Sequence, residues 1–122
     1  MYNVNIKRET PLSVAFYETE MKNQPCRDFL LELNKDDRRE VGADIFSVQK
    51  GFPLGLPLCR KIMNDLWEIR SNISDGICRV FFTVSENTIV LLHGFKKKSQ
   101  KIPLEEMEII KSRLSDFKEH NK

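Results

Sequence analysis

Long apolar runs, paired cysteines and clustered metal ligands are all missing from this chain. No stretch approaches the roughly 18 apolar residues that span a bilayer. Met1 to Arg8 holds no apolar run of the kind that directs secretion. A cytoplasmic location is therefore expected, with no membrane partner. Cys26, Cys59 and Cys78 are an odd number with no CxxC spacing. They read as buried or free thiols in a reducing compartment, not as a disulfide framework or a zinc site. His93 and His120 are the only histidines, and neither sits at ligand spacing from cysteines or carboxylates. Neither metal chemistry nor a cofactor is expected. GxxxxGK[ST], GxGxxG and GxSxG are also missing, so nucleotide-dependent and serine-hydrolase chemistry have no support. There are no internal repeats, low-complexity stretches or linkers.

What remains is one soluble domain over residues 1–122. A chain of this size buries somewhat under about 70% of its unfolded surface and can hold one core without staples. Its net charge of +2 says little, but the charge is unevenly spread. Residues 1–57 carry 8 basic and 9 acidic side chains, residues 58–102 carry 8 and 4, and residues 103–122 carry 4 and 5. The excess in the middle segment favours a polyanionic partner there.

Residues 1–11 are a polar lead-in, an extension ending at Pro11. Ser13 to Glu20 is rich in β-branched and aromatic residues and reads as a first strand. Pro25 suits the first turn of a short helix running to Leu33. Asn34 looks like the N-cap of a second helix, with Asp36 and Asp37 in its first turn. Val41, Ile45 and Val48 form its core-facing stripe, and Gly51 ends it. The loop Gly51–Pro57 carries Phe52, Leu54 and Leu56, so it is expected to pack back on the domain or to rim a site. A strand over Cys59–Ser71, with a possible interruption at Asn64-Asp65, is followed by a turn over 72–76. Strands over Ile77–Ser85 and Thr88–Phe95, joined at Glu86-Asn87, complete an antiparallel meander. Met107, Ile110, Leu114 and Phe117 give a last helix after Pro103, with residues 119–122 as a frayed tail. The expected fold is α+β: a small, curved, mostly antiparallel four-stranded sheet in the order β-α-α-β-β-β-α. Two helices cover one face and leave the other partly open.

Side chains alternate along a strand, so parity assigns faces. Cys78, Val80, Phe82 and Val84 form a uniformly apolar set, the core face. Arg79 and Phe81 lie opposite. Glu68 and Arg70 share a face, and Arg70 and Arg79 flank one turn, so both can project from one end of the open face. A solvated arginine pair bridged to Glu68 is the plainer reading. Lys96-Lys97-Lys98-Ser99-Gln100-Lys101 leaves the last strand with four lysines and no acid. A phosphate site there would give salt-dependent affinity without sequence information. His93, with Ile89 and Leu91 on its side of the strand, reads first as a core histidine and second as a catalytic one. His120 lies in the tail and is set aside.

At these residues the chain resembles a known family. Leu66-Trp67-Glu68-Ile69-Arg70, then Arg79-Val80-Phe81-Phe82, then Leu91-Leu92-His93-Gly94-Phe95 followed by the lysine run and Pro103 are similar to the HigB-like, phage-related branch of the RelE/ParE toxin superfamily. Phe16-Tyr17 and Pro25 to Leu30 extend the resemblance over about residues 12–118. Ile102 stands where the family often has a threonine cap, and an isoleucine cannot accept the cap bond.

The resemblance implies the toxin of a type II toxin–antitoxin pair, a metal-independent endoribonuclease that cleaves mRNA on the ribosome and so inhibits translation. Its partners would be mRNA, the ribosome and a helix-turn-helix, HigA-like antitoxin, with operator DNA reached only through the antitoxin. The catalytic set it implies is Arg70, Arg79, Lys97 and Lys101, with His93 as a minor member. Lys96, Lys98, Gln100 and Arg60 would contact RNA. Attack by the 2′-OH on the adjacent phosphate needs a base, an acid for the leaving 5′-oxygen, and cations for the dianionic phosphorane. Arg79 suits the clamp, and Arg70 the clamp or acid. A lysine serves as base only when like charges beside it favour its neutral form, and a lysine run supplies such neighbours. Two alternatives stay open: a ParE-like toxin that poisons gyrase and cleaves nothing, and a non-enzymatic nucleic-acid-binding phage protein.

Overall fold

The computed structural model describes residues 10–53, 58–97 and 101–121. Helix α1, Pro25–Glu32, begins on its proline, whose missing N–H is no loss at the first helical position. Asn34 caps helix α2, Lys35–Gly51: its Oδ1 accepts the Asp37 N–H at 2.8 Å. The Asp37 carboxylate in turn accepts the Ser74 backbone N–H at 3.0 Å and the Ser74 hydroxyl at 2.8 Å. These bonds, led by the backbone N–H, hold Asp37 below the usual carboxylate range. They also tie the start of α2 to a turn of the sheet.

The strands are β1 Ser13–Phe16, β2 Cys59–Met63, β3 Leu66–Ile73, β4 Gly76–Ser85 and β5 Thr88–Lys97, followed by helix α3, Leu104–His120. The strand expected over 59–71 is thus two. Asn64-Asp65 is a full hairpin turn, with Asp65 in the left-handed region at φ 64°. The sheet therefore has five strands instead of four, in the order β1-β5-β4-β3-β2. It is mixed, because β1, at one edge, pairs parallel with β5, while the other pairs are antiparallel. β1 is also shorter than expected. Helix α3 starts at Pro103 without a side-chain cap, in keeping with Ile102 beside it, and runs on through His120 instead of fraying at Glu119. The lead-in residues 1–9 and Lys122 lie outside the described residues.

Each face of the sheet has its own core. Val41, Ile45 and Val48 of α2 pack on Ile69, Cys78, Val80, Phe82, Ile89 and Leu91. Phe52 folds back to meet Trp67 edge-on at 4.7 Å, as the apolar loop suggested; Leu54 and Leu56 lie outside the described residues. Gly94 sits under α1, where a Cβ would come within 2.7 Å of the Phe29 ring, so any larger residue would have to displace that ring. The cysteines are free and buried, and burial pushes the Cys26 and Cys78 thiols up to about 12. On the opposite face Ile110 and Leu114 of α3 cover Phe81, Val90, Leu92 and Phe95. That face is therefore roofed over part of its length, where an open one was expected. Among the described residues no helix is long and apolar enough to cross a membrane.

Candidate nucleic-acid interface

Strand register arranges the face beneath α3 in transverse rows. Arg60, Glu68, Phe81 and His93 form one row across β2, β3, β4 and β5. The next holds Arg70, Arg79 and Phe95, and the last holds Asn72, Ile77 and Lys97. Residues directly opposite on neighbouring strands project to the same side, so the rows share one face.

A bulge in β5 makes this alignment possible. Phe82 pairs with Leu91, but Phe81 pairs with His93, so Leu92 is the extra residue. Parity counted from Ile89 and Leu91 places His93 with them, facing α2. The bulge turns His93, Phe95 and Lys97 to the α3 side instead. The same shift sends Lys96 to the α2 side, where it lies opposite Cys78 and its Nζ is 3.4 Å from Asp75 Oδ2. Lys96 is thus not part of the face that carries Arg70, contrary to its expected place in the RNA contact set. Lys98 and Gln100 lie outside the described residues. Lys101 is exposed just ahead of α3.

The first row is closed and its charges are matched. Glu68 is fully buried between two arginines: Oε1 is 2.7 Å from Arg60 Nε and Oε2 is 3.0 Å from Arg79 Nη1. Arg79 is itself 0% exposed, so it does not project from an open face as the sequence suggested. The bridge to Glu68 in the plainer reading is present, but the arginine is not solvated. Arg60, expected as an RNA contact, spends its Nε on the same carboxylate.

His93 closes the row against α3. Its Nε2 is 2.6 Å from Glu106 Oε1 and its Nδ1 is 2.8 Å from Arg113 Nη1, which also donates to the Leu92 carbonyl at 2.9 Å. A guanidinium can only donate. Nδ1 is therefore the acceptor, and the ring is neutral with its proton on Nε2, directed at Glu106. Burial lowers the His93 pKa, opposed by the Glu106 hydrogen bond. Both nitrogens are engaged by α3, which fits the core reading of this residue and leaves it no reach toward a substrate. A further tie, from the Tyr17 hydroxyl to Asp116 Oδ2 at 2.5 Å, holds α3 to the end of β1. Burial, with Asp116 adding to it, pushes the Tyr17 hydroxyl up to about 12.

Away from buried Arg79 and Phe95, the far rows reach the surface among the described residues. Of the arginines that are half-buried or deeper (Arg60, Arg70, Arg79 and Arg113), only Arg70 has no side-chain hydrogen bond or ion pair among the described residues. It lines a cavity of about 200 Å³ with Leu58, Asn72 and Ile77. Its backbone N–H donates to the Leu58 carbonyl at 2.8 Å, where β2 has stopped and β3 continues alone. Lys97, in the same row as Asn72 and Ile77, is exposed and has no partner among the described residues. Arg70 and Lys97 are thus the uncommitted cations on this face. Asn72 went unnoticed in the sequence because it was assigned to a turn. The end of β3 runs two pairs further than its composition suggested, which brings Asn72 into the sheet.

No curated protein matches the chain. A family model described as "Phage derived protein Gp49-like (DUF891)" matches residues 28–115, a span that holds every row of this face. With well over half of its length matched, the chain belongs to the phage-derived Gp49-like family.

Proposed function

We propose that this chain is the toxin of a toxin–antitoxin pair and acts as a metal-independent endoribonuclease on mRNA. The Gp49-like family is associated with RelE-like toxins, which supports the toxin half of the reading. The observation that carries the RNase half is Arg70: a half-buried guanidinium, uncommitted among the described residues, in a cavity beside an exposed lysine. A pocketed guanidinium presents a fixed donor fork to phosphate oxygens and acts where water is partly excluded. Arg70 is the clamp on the phosphorane. Lys97, paired with Ile77 of the cavity wall, and exposed Lys101 serve the proton transfers, one removing the 2′-OH proton and the other protonating the leaving 5′-oxygen. Arg79 acts from beneath Arg70, without touching the phosphate. Translation arrest in the cytoplasm and neutralisation by a HigA-like antitoxin complete the reading, with the ribosome presenting the mRNA.

The test is induced expression with and without the adjacent gene, with mRNA ends mapped by primer extension. Discrete new 5′ ends from the parent, and none from Arg70→Ala, are expected. DNA damage without new ends would instead place the chain with gyrase-directed toxins and end the RNase reading.

A further inference from the structure

Among the described residues Glu68 is the one buried carboxylate on the α3 face, and nothing in the reaction above uses it. It stands in the row next to Arg70 and Arg79, which face each other directly across β3 and β4. Like charges directly opposite in a sheet repel. Glu68 lies one row away on the same strand as Arg70, yet it bonds Arg79 diagonally and Arg60 straight across, and leaves Arg70 alone. Stability does not account for the fully buried Glu68–Arg79 pair, which half-exposed Arg60 flanks, because apolar residues of similar volume usually fill such a place at least as well.

We infer that Glu68 is a positioning residue for the proposed RNA cleavage. Its carboxylate draws the Arg79 charge down into the sheet and holds it there. Arg70 can then stay in the cavity with its full charge and no repulsive neighbour at its own depth. With the carboxylate ionised, Arg60, Glu68 and Arg79 together present a single positive charge to a phosphate. Without it they present two more positive groups than negative ones, and Arg79 is released to compete for the same phosphate in an unproductive place. Glu68 thus trades affinity for alignment.

The inference rests on the RNA-cleaving reading, and its test separates the two. Parent, Glu68→Gln and Glu68→Asp are compared by fluorescence anisotropy with a short labelled single-stranded RNA over a range of salt, and by cleavage of mRNA in a translating extract. Glu68→Gln is expected to bind RNA more tightly than the parent, with a salt slope steeper by about one unit. Its cleavage should fall by about 100-fold, the scale of a misplaced reacting group. Glu68→Asp, which keeps the charge, should hold the parental salt slope. A merely structural glutamate would not tighten binding on removal. Equal salt slopes for Glu68→Gln and the parent, or parental cleavage by Glu68→Gln, overturn the inference. If Glu68→Gln does not fold, the double variant Glu68→Met with Arg79→Met replaces the pair by packed apolar side chains. It should fold, bind no more tightly than the parent and cleave within about tenfold of it, because no released Arg79 remains to compete with Arg70; a loss of about 100-fold in it overturns the inference. A parent that binds RNA but cleaves none defeats the RNase reading, while the salt slopes still decide the role of Glu68.

Discussion

Arg70 and Arg79 occupy one cross-strand pair, yet the fold treats them in opposite ways. Arg79 is fully buried and tied to Glu68, whereas Arg70 opens into a cavity with no partner among the described residues. The two ends of the face differ in the same way. At the closed end Glu68 and His93 are held by Arg60, Arg79, Glu106 and Arg113, and α3 supplies an apolar roof. At the open end β2 has stopped, and Arg70, Asn72 and Lys97 are half-buried or exposed. Charges of equal formal value therefore do different work. Matched and buried charges hold the architecture, and unmatched ones near water are available to a ligand.

Truncation should expose this division. Arg79→Ala leaves the Glu68 carboxylate buried with one guanidinium removed. Breaking such a buried pair typically costs about 3–5 kcal/mol, so a large fall in urea midpoint is expected. A midpoint within error of the parent would mean that the closed end is not structural. Arg70→Ala should do the reverse. A partnerless, half-exposed side chain costs within about 0.5 kcal/mol on removal, while loss of a phosphorane clamp costs about 100-fold or more in cleavage. A stable Arg70→Ala variant that still arrests growth would erase the contrast between the two arginines.

Much of this was legible in the sequence, and the failures share a cause. Asn34 and Pro25 announced their helices because capping is local chemistry. Strand parity put Glu68, Arg70 and Arg79 on one face because the pleat has a fixed period. Parity failed at His93, where one extra residue in β5 reverses every side chain after it. No composition signal marks that bulge, since Leu91-Leu92 fits either strand face. The burial of Arg79 was equally hidden. It depends on what packs over the sheet, and strand alternation assigns Arg79 a face without saying what covers that face. The fifth strand was missed by reading Asn64-Asp65 as an interruption instead of a turn.

The closed end has a weak point in acid. The folded His93 pKa is lowered, mainly by burial, so the unfolded chain takes up this proton more readily than the native one. The stability from the neutral ring is fully present above its ordinary value of 6.5 and is lost as pH falls from there through the lowered folded value. Protonation also removes the acceptor that Arg113 uses. Amide exchange in α3 should therefore rise below pH 6.5, before any change in α2, whose Asp37 is held below its ordinary 3.8 and fails only at lower pH. His93→Gln should flatten the first step and leave the second. Simultaneous opening of both helices would show that His93 does not govern α3 separately.

The smallest effect belongs to Lys97 and tests the open end alone. Its side chain is exposed, and its place beside the cavity depends on the β5 bulge. Lys97→Ala should leave the urea midpoint unchanged and lower RNA affinity several-fold at low salt. Losing one phosphate contact reduces the salt slope by about one unit. Lys96→Ala supplies the comparison, because Lys96 points to the other side of the sheet and is paired with Asp75. It should leave the salt slope where it was, although it removes the same formal charge from the next position in the chain. If the two variants lower the slope equally, RNA is sensing net charge and not a face. The bulge would then have no bearing on binding, and the open end would be an ordinary solvated surface.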